Sequence, residues 1–182
     1  MEIQISSRKY PGLTALVDSQ FYEELSQYTW RVHTSNANLY AARSQRYPDG
    51  KQRTIFLHRD VLRLAGIPVP DGMFVDHENG NTFDCQLLNL RPATSSQNAT
   101  NRKKRRGCTS QFYGVCLDRQ TGKWDFDMTR RGEHIHRGTY EKETDAARVY
   151  DFAAGFEYGP YFRPNFPGMF SPEMQLEFYR QI

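Results

Sequence analysis

Apolar residues along the chain fall in short runs and short periodicities, never in one long block. Leu16-Val17 reads as a strand, Asp18 or Ser19 caps a brief helix reaching Leu25, and Trp30-Arg31-Val32 resumes an alternating, extended pattern. Residues 39–46 and 53–57 then form a hairpin around Tyr47-Pro48-Asp49-Gly50, whose Pro fixes φ and whose Gly accepts positive φ. Leu57, Val61, Leu62 and Leu64 follow at near-helical spacing, and Gly66-Ile67-Pro68 ends that helix. Met73-Phe74-Val75 delivers Asp76-His77 to a strand end, and Asn79-Gly80 marks a turn. Leu87, Leu88 and Leu90 surround Asn89 in a return segment. Thr94 and Gln97 fit a capping box, which places Asn98 in the first turns of a helix near an end that favours anions.

A second pattern begins near residue 110. Tyr113-Gly114-Val115, residues 123–128 and residues 134–140 read as three strands separated by Thr121-Gly122 and Arg131-Gly132. Period two puts Trp124, Phe126, Met128 and Ile135 on one face, and Asp125, Asp127, Thr129, His134 and His136 on the other. Ala146, Val149, Tyr150, Ala153 and Ala154 recur at helical spacing, so an amphipathic helix over residues 144–157 covers the apolar face. The polar face stays open, and a small sheet of this kind can enter the major groove of DNA. Ser171-Pro172-Glu173 starts a short terminal helix. The expected fold class is α+β.

The bulk numbers restrain the functional reading. The chain has 182 residues and a net charge of +3, too mild to establish a nucleic-acid partner by its sum. The position of the charge matters more. Arg102, Lys103, Lys104, Arg105 and Arg106 are consecutive cations, suited to lie along phosphates. Arg43, Arg46, Lys51 and Arg53 cluster on the hairpin, where they serve either a nucleic-acid backbone or a solvated edge. Cys85, Cys108 and Cys116 are odd in number and contain no C-x-x-C pair, which supports neither a disulfide framework nor a zinc ribbon. No run approaches the roughly 20 apolar residues that span a bilayer, and no signal-peptide core is present. An intracellular, cytoplasmic protein with no membrane partner is expected.

The chemistry centres on residues 75–98. An Asp, a His and two Asn residues do not suit acyl transfer, because no Ser or Cys stands beside the His as nucleophile. They suit phosphodiester hydrolysis. His77, with a pKa that can sit near neutrality, can take a proton from water as a general base. Asp76 and Asn98 offer hard oxygen ligands suited to magnesium or manganese rather than zinc. Asn89 is placed to hydrogen-bond across the loop and hold its ends. His58, alone on its helix, reads as a packed structural residue.

The motifs V-D-H-x-N-G-N, N-L-R and S-S-Q-N resemble the ββα-metal core of HNH endonucleases, especially the phage and intron-associated homing enzymes. The resemblance implies His77 as general base, Asp76 and Asn98 as ligands of one divalent Mg2+ or Mn2+, and Asn89 as the loop support. Asn98 stands where many members carry His. The later motifs Y-G-V, G-K-W, G-T-Y, A-A-R-V-Y-D-x-A-A and N-F-P resemble an APETALA2-type DNA-binding domain. That resemblance implies a sheet face reading the major groove through Tyr113, Cys116, Arg119, Thr121, Asp127, Thr129, His134 and His136.

These readings divide the chain into a β-rich segment over 1–55, a nuclease core over 56–101, a basic linker over 102–109, a DNA-reading domain over 110–167 and a tail over 168–182. The function expected is a metal-dependent, homing-type endonuclease acting on double-stranded DNA. One site per chain favours a monomer that nicks. The competing readings are a non-catalytic DNA-binding regulator with a degenerate core and an RNA-binding module, the latter lacking a single-strand stacking motif.

Overall fold

Residues 2–6 alternate exposed and buried side chains, and this period of two makes β1 (Glu2–Ser6) a half-buried strand. The computed structural model describes residues 1–35, 38–101, 109–130 and 133–168, without the side chains of 129–130 and 134–137. The chain forms two compact units, Met1–Ser95 and Ser96–Ile182. Both mix helices and sheets, and the fold class is α+β.

In the first unit β1 is followed by β2 (Thr14–Leu16), α1 (Ser19–Ser26), β3 (Trp30–Ser35), β4 (Asn38–Arg46), β5 (Gln52–Phe56) and α2 (Leu57–Leu64). The strands make one sheet in the order β2-β1-β3-β4-β5, parallel between β1 and β3 and antiparallel elsewhere. Ile3, Ile5, Ala15, Val17, Leu25, Trp30, Leu57, Val61 and Leu62 fill the core. Asp18 occupies the N-cap of α1 but makes no capping bond. Its carboxylate accepts the backbone N–H of Leu87 instead, at 2.7 Å. The ribbon of β6 (Phe74–His77) and β7 (Leu90–Ala93) completes this unit, with a 3-10 turn over Leu87–Asn89.

The hairpin turn forms as its residues dictate, with Gly50 at φ +77° and Asp49 accepting from Lys51 N at 2.9 Å. Its arginines do not all face a partner outside the chain. Arg43 pairs with the buried Asp60 at 2.9 Å and lies 3.9 Å over the Tyr28 ring, while Arg53 pairs with Asp49 at 2.7 Å. Arg43 therefore braces the fold.

In the second unit α3 (Ser95–Thr100) starts where the capping pattern places it. The sheet of β8 (Val115–Leu117), β9 (Trp124–Arg130) and β10 (Glu133–Tyr140) is antiparallel in the order β10-β9-β8. The helix α4 (Glu143–Tyr158) packs on it, burying Phe126, Met128, Val115, Ala146, Tyr150 and Ala154. Asp151 on α4 is fully buried and accepts from Asn165 N, Asn165 Nδ2 and Phe166 N, each at 2.9 Å. Asn165 in turn bonds both Tyr113 N and Tyr113 O. The Y-G-V and N-F-P motifs are thus two ends of one clasp. Ser171 and the expected terminal helix lie outside the described residues.

Candidate active site

Asp76 and His77 sit at the end of β6, which pairs with β7 so that Asp76 faces Arg91 and His77 faces Leu90. The Arg91 Nε and one terminal nitrogen each lie 2.9 Å from Asp76 Oδ2, and the side chains are 16% and 4% exposed. A carboxylate this buried needs such a partner, because an unpaired one would lose its hydration without return. Val75, Asp76 and His77 are all buried, so both faces of this short strand are covered.

The loop after His77 is held by Asn89. Its Oδ1 accepts from Asn79 N at 2.9 Å, its Nδ2 donates to Asp84 O at 2.7 Å, and its own carbonyl accepts from Glu78 N at 2.9 Å. Gly80, at φ +70°, closes the turn by donating to His77 O. The far side of the loop docks on β2, where Leu16 N donates to Phe83 O and Cys85 N donates to Leu16 O. The fully buried Cys85 lies in this joint, and burial pushes its thiol far up from the usual range.

His77 does not titrate near neutrality as its residue type suggests. Burial pushes its pKa down to about 4, against the opposing pull of the Asp76 and Asp84 charges. The imidazole is therefore neutral at pH 7. His58, expected as a solitary packed residue, lies beside it with ring centroids 5.1 Å apart. Burial, then the charges of His77 and Arg59, hold His58 well below the ordinary histidine value. Sequence spacing carries no signal for this neighbour, because α2 and β6 meet only through tertiary packing.

The first unit thus gathers Asp76, His77 and Asn89. Asn98 lies half-buried on α3, in the second unit. Among the described residues no group of three or more His, Cys, Asp and Glu is gathered as a metal cluster. Arg102, Lys103, Lys104, Arg105 and Arg106 lie outside the described residues.

On the second unit's sheet, Cys116, Arg119, Thr121 and Asp127 are exposed or half-buried. Thr121 Oγ1 donates to Asp118 Oδ2 within the β8–β9 turn, at 2.7 Å. Tyr113 packs partly against the core. The register sets His134 opposite Thr129 and His136 opposite Asp127. Asp125 departs from the open face expected of it and is buried, flanked on the central strand by Cys116 and Thr139. Among the described residues no helix is long and apolar enough to cross a membrane.

Residues 56–100 match the family model described as HNH endonuclease. Protein 3.8 of Escherichia phage T7 is 32% identical over 76 residues, covering 42% of this chain and 63% of that protein. The AP2-like ethylene-responsive transcription factors AIL5 and ANT of Arabidopsis thaliana are 36% identical over 69 residues and 38% identical over 68. Each of those matches covers 32% of this chain and 12% of the relative. The chain spans less than two thirds of the length of these relatives. The segment that carries the buried Asp76-His77 pair and its Asn89-tied loop is the segment that matches the HNH endonuclease family, which points to a nuclease and DNA-binding role.

Proposed function

We propose that the chain is a metal-dependent, homing-type endonuclease that hydrolyses phosphodiester bonds at a chosen site in double-stranded DNA. The observation that carries this is the buried Asp76-His77 pair at the end of β6, beside a loop tied by Asn89, inside the segment matching HNH endonucleases. His77 acts as general base. Its neutral imidazole accepts the proton of a water whose oxygen bonds to phosphorus, while the bond from phosphorus to the leaving sugar oxygen breaks. A pKa of about 4 makes a weak base in the free protein, but an arriving phosphate brings negative charge that favours the protonated ring.

Asp76 and Asn98, matched to the HNH motif, are the residues that would hold a magnesium or manganese ion. Their donors, one carboxylate and one amide oxygen with no thiolate, suit a hard cation that keeps several waters and takes further ligands from a phosphate. When bound there, such an ion would supply charge stabilisation at the phosphate and the leaving oxygen. Arg91 fixes one Asp76 oxygen, which keeps the carboxylate from turning away. Asn89 positions the loop and touches no reacting atom.

The second unit supplies the choice of site, and its DNA-binding residues are Tyr113, Arg119, Thr121, Asp127, Thr129, His134 and His136. The run of cations over residues 102–106 follows the phosphates. Incubating supercoiled DNA carrying a candidate site with the protein and magnesium, or with chelator, tests the reading. Nicked or linear product only with magnesium is expected. Retained binding with no product under either condition would leave the DNA-binding regulator as the function.

A further inference from the structure

The imidazole of His58 stands beside that of His77 although the two come from different elements, the first turn of α2 and the end of β6. Their planes cross at 86°, an edge-to-face contact with centroids 5.1 Å apart. His58 is itself seated. Its ring lies on Phe56 with centroids 5.5 Å apart and planes 17° from parallel, and Tyr40 meets it edge-on at 5.6 Å. Tyr40 also lies 6.2 Å from His77. His77 thus leans on a wall of rings from β4, β5 and α2.

The wall is anchored by more contacts than the tip of the ribbon. The strands β6 and β7 have four residues each, and a two-stranded ribbon is marginal by itself. By contrast α2 buries Leu57, Val61 and Leu62 completely, and its Asp60 is gripped by Arg43 and Arg63, each at 2.9 Å. A ring at the tip of a short ribbon needs an external stop, because useful geometry tolerates only about 10–20° of misorientation. His58 is 7% exposed, and its Nδ1 has no hydrogen-bond partner among the described residues.

We propose that His58 is a positioning residue whose ring, seated on Phe56 and Tyr40, fixes the orientation of the His77 imidazole. This rests on the assignment of His77 as the base. His58 acts through His77 and not on the substrate, so its loss slows the chemical step and leaves DNA binding intact.

The test compares wild type, His58→Ala, His58→Leu, His58→Phe and His77→Ala in single-turnover nicking, DNA affinity and thermal melting. His58→Ala should slow nicking about tenfold or more at unchanged affinity, the scale of loss when a supporting residue is removed. His58→Phe refills the slot with a flat ring and should recover most of the rate. His58→Leu keeps much of the volume without a stacking face, so it should fold even where the alanine variant does not, and should nick slowly. Wild-type rates in a folded His58→Ala or His58→Leu, or slowed nicking explained wholly by weaker DNA affinity, would overturn the proposal. If wild type itself does not nick, the nuclease reading fails, and orientation is then decided by relaxation of the His77 ring carbons. That ring should be rigid in wild type and His58→Phe and looser in His58→Leu; equal rigidity in all three would sink the positioning role.

Discussion

At the scale of residues, Asn89 shows how one side chain can hold the loop that follows His77. Its carboxamide serves Asn79 N and Asp84 O together, offering a donor and an acceptor on one short side chain. Asn89→Ala leaves both backbone groups without that partner in a part-buried place, and should cost about 2 kcal/mol in urea unfolding while reducing nicking. An unchanged midpoint would show that the loop is held by its docking on β2. The motif makes Asp76, His77 and Asn89 visible in the sequence, because they lie within 14 positions of one another and are of unusual type. Arg91 and His58 are not legible there as partners. Their interactions depend on ribbon register and on the packing of α2, which residue spacing does not encode.

The buried imidazoles also set a pH dependence. An unfolded histidine binds its proton near pH 6.5, whereas folded His77 does so near 4 and folded His58 well below 6.5. The unfolded chain therefore binds more protons between those values, and stability falls as pH drops through that window. Above pH 6.5 this contribution is complete. Thermal melting should be flat from pH 8 to 7 and decline below 6.5, by up to about 1.4 kcal/mol per pH unit for each histidine. His58→Phe should make the decline shallower, and an identical slope would contradict the burial of that ring.

At the scale of elements, the hairpin, the helix after it, the three-stranded sheet and its covering helix are all legible in the sequence, because each combines a clear period with strong turn residues. The strand β1 alternates just as clearly, but it has only five residues and Pro11-Gly12 comes well after its end, so the pattern is weak. Asp151 is also hidden. A carboxylate on a helix reads as solvent-facing, and only the return of Asn165 and Phe166 explains its burial. Gly114 lies in the same clasp, at φ +66°, where an added Cβ would fall 2.0 Å from Tyr150 Cε2. Gly114→Ala should therefore destabilise the second unit by at least about 2 kcal/mol, from the left-handed backbone and the displaced ring together. Denaturation followed by fluorescence of Trp124, with and without Gly114→Ala in a Trp30→Phe background, reports that unit, and an unchanged midpoint would refute the close approach.

At the scale of the whole molecule, two units of different design divide the proposed work. The first holds Asp76 and His77, and the second supplies a sheet whose β8–β9 side carries Arg119, Thr121 and Asp127. Neutralising residues 102–106 should lower DNA affinity across sequences and flatten its dependence on salt, by roughly 0.9 in slope for each phosphate no longer neutralised. An unchanged slope would assign that run to solvent. The two designs are legible in the sequence because each carries its own motifs.

The role of His77 as the base is tested by measuring DNA affinity and magnesium-dependent nicking side by side for wild type and His77→Ala. His77→Ala should bind the same DNA with wild-type affinity and nick it at least about a hundredfold more slowly, the contribution of a general base. Equal nicking by the two proteins would contradict that role.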